Sequence, residues 1–305
     1  MNRKEINFVT DLSSKTIVVT GSNSGIGFES ARLFASKNAI VIMAVRSIDR
    51  GQNAKDDILK EFPKANIIVM KLDLSDLKTV LDFSNELKSR NVVIDVLLNN
   101  AGIMTVPYGS TVDGYEKQIG VNHFGHFYLT HLVFDLMNKK TGRIVNVSSL
   151  AHKYGKIDFN SFKYDENIKY NKMKAYAQSK LANMLFTNKL ARLLEKKNSH
   201  IIALSAHPGI SRTNLGRHVK GSLFFKIFDP IINLFSQNRF MGSLPLVLAS
   251  TDIDAVNGNY YGPSGIFGTK GMPKKVKNSR RSNNKELQDK FYKTSIESLK
   301  IKEGI

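Results

Sequence analysis

Up to residue 206, short apolar runs alternate with longer stretches whose apolar positions recur every three or four residues. The runs KTIVVT (15–20), AIVIMAV (39–45), NIIVMKL (66–72), VIDVLLN (93–99), GRIVNVS (142–148) and HIIALSA (200–206) read as strands, and GNYYG (258–262) as a short further one. Most are continuously apolar, the pattern of strands buried on both faces of a parallel sheet. Helical periodicity covers 25–36, 49–61, 76–90, 112–138, 173–197 and 242–251. Strand and helix in strict alternation predict a doubly wound α/β fold of about seven strands with flanking helices. No repeat, low-complexity tract or Pro/Gly/Ser linker divides the chain, so residues 1–305 are read as a single domain.

Composition narrows the chemistry. With 42% apolar residues the 305-residue chain can build a large core. Cysteine is absent, which excludes disulfides, thiolate catalysis and cysteine metal sites. The seven histidines show no H-E-x-x-H or related ligand spacing, so no metal is expected. Against 26 acidic residues stand 45 Lys and Arg, a net charge of +19 that favours anionic partners. The lysines are scattered except in KGMPKKVKNSRR (270–281), and no zinc-finger or RNA-recognition motif accompanies them. A solvated lysine-rich surface is therefore the preferred reading, and nucleic acid is not an expected partner. The most apolar stretch, GSLFFKIFDPIINLF (221–235), is interrupted by Lys226, Asp229 and Pro230. The start, MNRKEINFVTDLSSK, lacks the apolar run of a secretory signal. Together these predict a cytoplasmic protein.

The first strand runs into TGSNSGIGFESARLF, placing Gly21, Gly25 and Gly27 between a strand and a helix. Gly21 permits a tight turn, and Gly25 and Gly27 let the backbone approach a pyrophosphate. The helix start then offers unpaired N–H groups and partial positive charge to phosphates. Asn23, Ser24 and Ile26 complete this turn. Its spacing is G-x-x-x-G-x-G rather than G-x-G-x-x-G. At the end of the second strand, where a carboxylate would hold an NAD ribose, MAVRS supplies Arg46. A guanidinium there suits the 2′-phosphate of NADP(H), with NAD(H) the lesser candidate and a solvent-facing strand end the plain alternative.

Two segments place a tyrosine four residues before a lysine: AYAQSK, with Tyr176 and Lys180, and YNKMK, with Tyr170 and Lys174. On a helix such residues share one face. Either pair is a phenol beside the cation that tunes it, or two amphipathic side chains on a wet surface. Spacing alone does not choose.

TGSNSGIG (20–27), LDLSD (72–76), LLNNAG (97–102), VNHFGHF (121–127), IVNVSSLAH (144–152), YAQSK (176–180) and HPGISRT (207–213) occur in that order. Together they resemble the short-chain dehydrogenase/reductase family over nearly the whole chain. The resemblance implies a Rossmann-type core over 11–270, a lid segment at 211–240 over the substrate, and a basic C-terminal extension at 271–305. It implies that Asp73 and Leu74 hold the adenine, and that Asn100, Ala101 and Gly102 line the cofactor. Pro208, Ile210 and Thr213 would stand at the nicotinamide. It makes Tyr176 the acid/base, Ser149 the hydroxyl on the substrate oxygen, and Lys180 both the tuning cation and a ribose ligand. Asn122 would hold a proton-relaying water, although a role in bending its helix is equally open. Ser148 is left as a strand-end serine, and His152 and His207 as loop or strand-end residues.

The stripe Tyr176, Lys180, Asn183, Thr187 agrees, being a polar line among Ala and Leu, whereas Tyr170 lies among Lys169, Lys172 and Lys174 and reads as a solvated helix start. A phenol titrates near ~10 in water, and a neighbouring ammonium is expected to lower that value. SSLAHKYGKIDF and the 27 residues from Ser149 to Tyr176 are similar to the retinol-dehydrogenase-like and protochlorophyllide-reductase-like branch. The activity implied is NADP(H)-dependent interconversion of a carbonyl and an alcohol, on a lipophilic substrate such as a retinal-like compound, sterol or aldehyde. A non-catalytic NADP-binding regulator and a sugar-nucleotide epimerase are the alternatives. The apolar residues of 221–236 could equally make a homo-oligomer contact or meet a membrane surface.

Overall fold

The computed structural model describes residues 6, 8–167, 169–210, 236–302 and 305. Its centre is one eight-stranded sheet in the order β3-β2-β1-β4-β5-β6-β7-β8. The strands are β1 (Thr16–Thr20), β2 (Ile40–Val45), β3 (Asn66–Lys71), β4 (Val96–Asn99), β5 (Arg143–Val147), β6 (Ile202–Ala206), β7 (Tyr260–Pro263) and β8 (Pro273–Val276). All neighbours pair in parallel except β7 and β8, which pair antiparallel with Tyr261 opposite Lys275. β8 is one strand more than the periodicity predicts.

The strands carry apolar residues on both faces because both faces are covered. Ile17 and Val19 of β1 join a core under α1 (Gly25–Ala35), α2 (Ile48–Glu61) and a later helix, Arg239–Thr251. Val18 between them points to the opposite layer. That second layer holds α3 (Leu77–Ser89), α4 (Gly125–Val133) and the long α5 (Lys172–Lys196). Arg239–Thr251 is α6, and α7 spans Lys285–Leu299. The helix predicted over 112–138 is broken: a helical turn at Lys117–Ile119 enters a π-turn, Gly120–Phe124, before α4 begins.

The segment 271–305, read as a basic extension, contains β8 and α7. Phe291 of α7 is fully buried and Tyr292, Ile296 and Leu299 pack on the second layer. Polar contacts fix its register: His131 Nε2 lies 2.9 Å from the Tyr292 hydroxyl, and Lys189 Nζ lies 2.6 Å from Asp289 Oδ1. Charged residues between the apolar ones hide this stripe in the sequence. Most of the predicted lid, and Thr213 with it, lies outside the described residues. No helix among the described residues is long and apolar enough to cross a membrane.

Candidate active site

The C-terminal ends of β1, β4 and β5 meet at the middle of the sheet, where the strand order reverses and a crevice opens. At the end of β1, Gly21 and Gly25 take left-handed backbone angles, with φ of +66° and +63°. A Cβ on Gly21 would lie 2.9 Å from that of Ala101, and one on Gly27 would clash with the Asn100 amide and the Gly21 carbonyl. The turn is thus packed against LLNNAG with no room for side chains. Ser24 stands at the N-cap of α1 without a side-chain capping bond, and no acidic residue occupies the first turn. Nearby, the buried Ser22 Oγ has no hydrogen-bond partner. Free helix N–H groups, an orphan hydroxyl and a backbone cradle fit a dinucleotide pyrophosphate.

Thr20 ties the turn to the rest of the site. Its Oγ1 accepts from the backbone N–H groups of Asn100 and Ala101, both at 2.9 Å, and the Asn100 amide donates to the Thr20 carbonyl at 2.8 Å. The same hydroxyl lies 2.9 Å from His126 Nε2, and His126 Nδ1 lies 3.1 Å from the Asn122 carbonyl. A carbonyl can only accept, so Nδ1 carries the proton and Nε2 receives that of Thr20. Burial drives the His126 pKa down to about 3, which keeps this ring neutral. Thr20 and His126 lie within TGSNSGIG and VNHFGHF, but the sequence assigns neither a role, because their pairing spans more than a hundred residues.

Asn122 sits inside the π-turn. Its Oδ1 accepts from Ile103 N at 2.8 Å, and its Nδ2 donates to Ile103 O and to Ser179 Oγ, each at 2.9 Å. It therefore clamps the loop after β4 to both the π-turn and α5. Gly102 lies against it, where a Cβ would come 3.1 Å from Asn122 Oδ1 and 3.4 Å from Lys180 Nζ.

α5 begins at Lys172, capped by Asn171, whose side chain accepts from Met173 N and Lys174 N. Tyr176 and Lys180 both lie on the buried face of this helix. Lys180 Nζ donates to the Val147 carbonyl at 3.1 Å, which also accepts from Asn183 Nδ2 at 3.0 Å. Desolvation lowers the Lys180 pKa to about 8. Its Nζ stands 5.9 Å from the centre of the Tyr176 ring. Burial raises the Tyr176 pKa, and a hydrogen bond from Ser149 works against that rise.

Ser149 follows β5, half-exposed, and caps the short 3₁₀ turn Leu150–Tyr154 by accepting from Ala151 N at 3.2 Å. Ser148 points the other way, buried, and donates to the Lys180 carbonyl at 2.9 Å. His152, also fully buried, fixes Ser149 through a 2.6 Å contact from Nδ1 to the Ser149 carbonyl. Burial drives His207, just after β6, down to about 3.

The Asp73 carboxylate accepts from Ser75 N and Oγ, so it closes a local turn, and Leu74 packs buried against Gly125. Arg46 is exposed at the end of β2, where its carbonyl accepts from Lys71 Nζ at 2.6 Å. Next to the glycine turn a cleft of ≈ 410 Å³ is lined by Asn23, Ser24, Phe28, Arg50, Asn53 and Arg239, among others. Arg50, in the first turn of α2 and four residues after Arg46, belongs to no motif that marks it in the sequence. Pro208 O accepts from Gln237 Nε2, and Ile210 N donates to Thr269 O, both at 2.8 Å. Among the described residues no three metal-ligating side chains gather at one point.

The other pair is not a helical pair at all. Tyr170 precedes the cap of α5, its ring stacked on Tyr108 with centroids 4.4 Å apart. Its hydroxyl donates to Glu116 Oε1 at 3.0 Å and accepts from Gln118 Nε2 at 2.6 Å. The solvated helix start expected there is a half-buried polar junction.

The profile of the short chain dehydrogenase family matches residues 15–222. The chain belongs to this family. Human retinol dehydrogenase 12 is 35% identical over 293 residues, covering 95% of this chain and 88% of that protein. Mouse retinol dehydrogenase 14 is 40% identical over 268 residues, covering 82% and 78%. The crystal structure of an uncharacterized protein from Mycobacterium paratuberculosis superposes with a TM-score of 0.80 at 36% identity, covering 97% of each chain. This short-chain dehydrogenase is thus an oxidoreductase of the retinol-dehydrogenase-like kind, with the Rossmann-type sheet of the family.

Proposed function

We propose that this short-chain dehydrogenase is an NADP(H)-dependent enzyme that reduces a lipophilic aldehyde or ketone to its alcohol, or runs the reverse. The observation that carries the reading is the buried Tyr176 phenol, close enough to Ser149 for that serine to favour its ionisation, with the buried Lys180 one helical turn away. NADPH, when bound, supplies the hydride that goes to the carbonyl carbon. Tyr176 gives its proton to the carbonyl oxygen, so the alcohol forms and a phenolate remains. Ser149 donates a hydrogen bond to that oxygen as charge develops. Lys180, whose ammonium persists at neutral pH with a pKa of about 8, stabilises the phenolate until it is reprotonated. Desolvation of both groups keeps the resting proton on Tyr176, where an acid needs it. Asn122 holds Ile103 and Ser179 in place around them.

The cradle at Gly21, Gly25 and Gly27, the unsatisfied Ser22 and the N-terminus of α1 would hold the pyrophosphate. Arg46 and Arg50, in a β2–α2 junction without a carboxylate at the strand end, favour the phosphorylated dinucleotide. The names of the retinol dehydrogenases it is similar to favour an apolar substrate. The experiment is a panel of lipophilic aldehydes, ketones and alcohols with each dinucleotide, followed at the nicotinamide absorbance. NADPH is expected to exceed NADH by about tenfold or more in kcat/KM, and the Arg46→Ala/Arg50→Ala variant to erase that preference. Equal use of NADH by the parent would overturn the cofactor assignment. NADPH binding without turnover on any carbonyl would favour the regulatory reading.

A further inference from the structure

The basic segment 270–281 and the loop before it take no part in that chemistry. We propose that the β7–β8 hairpin is a docking surface for an anionic lipid bilayer, with Ile266 and Phe267 as an apolar wedge and edge-strand cations around it.

β7 runs parallel to β6, so the chain leaves Pro263 at the same edge of the sheet that carries Ser149 and His207. The loop that turns there is tightly held at its base. Ser264 N donates to Met272 O at 2.7 Å, Gly265 N to Lys270 O at 2.9 Å, and Gly271 N to Gln237 Oε1 at 3.0 Å. A Cβ on Gly268 would stand 3.4 Å from His207 Cε1, so the loop rests on the floor of the site. Its tip is bare. Ile266 is 72% exposed and Phe267 80%. Phe267 also takes a left-handed conformation, φ 56° and ψ 11°, which is costly for a bulky residue and is not repaid by packing. This aromatic, held outward at a rigid tip, packs on nothing among the described residues.

Charge says what that partner is. Between Asp254 and Glu286 the chain has no carboxylate and seven Lys or Arg. Lys275 is engaged with Asp252, and Arg281 with the Gly155 carbonyl, but Lys274, Lys277 and Arg280 are exposed on and just beyond the edge strand. Exposed Lys153 lies close enough to lower the pKa of His207 beneath the loop. A convex apolar tip collared by cations matches the headgroup–acyl boundary of an anionic bilayer. Nucleic acid would engage the cations but leave Ile266 and Phe267 in water, and an apolar protein partner would not require the collar.

The test is co-sedimentation of the full chain with phosphatidylcholine vesicles, with and without about one-third phosphatidylglycerol, read without dinucleotide or carbonyl. Its failure would therefore leave the enzymatic reading untouched. Binding to the anionic vesicles is expected to exceed that to neutral ones by about tenfold or more and to fall with salt. Ile266→Ser/Phe267→Ser should lower it about tenfold at unchanged Tm, and Lys274→Glu/Lys277→Glu should do the same. Phe267→Gly, which releases the backbone strain, should raise Tm while weakening binding. Vesicle binding of the double-serine variant equal to that of the parent would overturn the proposal. So would no vesicle binding by the parent, with or without binding to a DNA duplex.

Discussion

Tyr176–Lys180 and Tyr170–Lys174 share one spacing and have opposite fates. Asn171 caps α5 between the two tyrosines, so only the second pair lies on a continuous helical face. Lys180 is inside, bonded to the Val147 carbonyl, while Lys174 is at the surface. Tyr176 meets Ser149 in the crevice, whereas Tyr170 turns its hydroxyl to Glu116 and Gln118. A two-residue motif is thus placed for chemistry only where the backbone gives it a common face and the strand order brings a third group to it.

The sharpest way to break this comparison is to remove each hydroxyl in turn. Tyr176→Phe is expected to lower kcat by about 10³-fold while leaving dinucleotide affinity within a few-fold, as for a lost general acid. Tyr170→Phe should leave kcat within a factor of about two; a comparable loss in both variants would sink the assignment.

Next come the lysines. Lys180 has a folded pKa of about 8 against 10.5 in the unfolded chain. Below pH 8 both states are protonated, and burial of the ammonium destabilises the fold. As pH rises from 8 to 10.5 the folded protein releases its proton first, so stability climbs across that window. Lys180→Met should therefore abolish turnover yet raise stability at pH 7 by as much as about 3 kcal/mol. Asn183 still satisfies the Val147 carbonyl in that variant. The gain should shrink across the same window, in chemical denaturation at pH 7 and at pH 10. A destabilised Lys180→Met at pH 7 would show that the ammonium is structural.

The smallest effect is on the other tyrosine. Tyr170→Phe removes the donor to Glu116 and the acceptor of Gln118, costing about 1–2 kcal/mol by loss of two partly buried hydrogen bonds. A melting curve superimposable on the parent's would return Tyr170 to the solvent.

How far these features can be read from sequence follows from their range. β1 to β6 are apolar runs, and the glycine turn lies within one strand–helix junction, so both show in short windows. VIDVLLN forms a strand only from Val96, because Val93 before it is 57% exposed and the chain is still turning out of α3. β8 is half charged, and α7 alternates its few apolar positions with lysines. Both become elements only against β7 and α5, through contacts such as Asn188 Nδ2 to Ser282 O at 2.8 Å. The break before α4 is equally non-local, since Asn122 is held there by Ile103 and Ser179. Thr20 and His126 are ordinary residues until β1 and α4 are brought side by side.

The position of α7 (Lys285–Leu299), far along the chain from the surface it covers, also orders events on the ribosome. The surface it covers is made by Phe124, Phe127, Phe186 and Leu190, all translated well before Phe291. At roughly 5–20 residues per second, the emerging polypeptide carries that uncovered aromatic surface for about five to twenty seconds. Nascent chains of this protein should therefore depend on holding factors until α7 has emerged, and truncations that end before residue 291 should be recovered as aggregates.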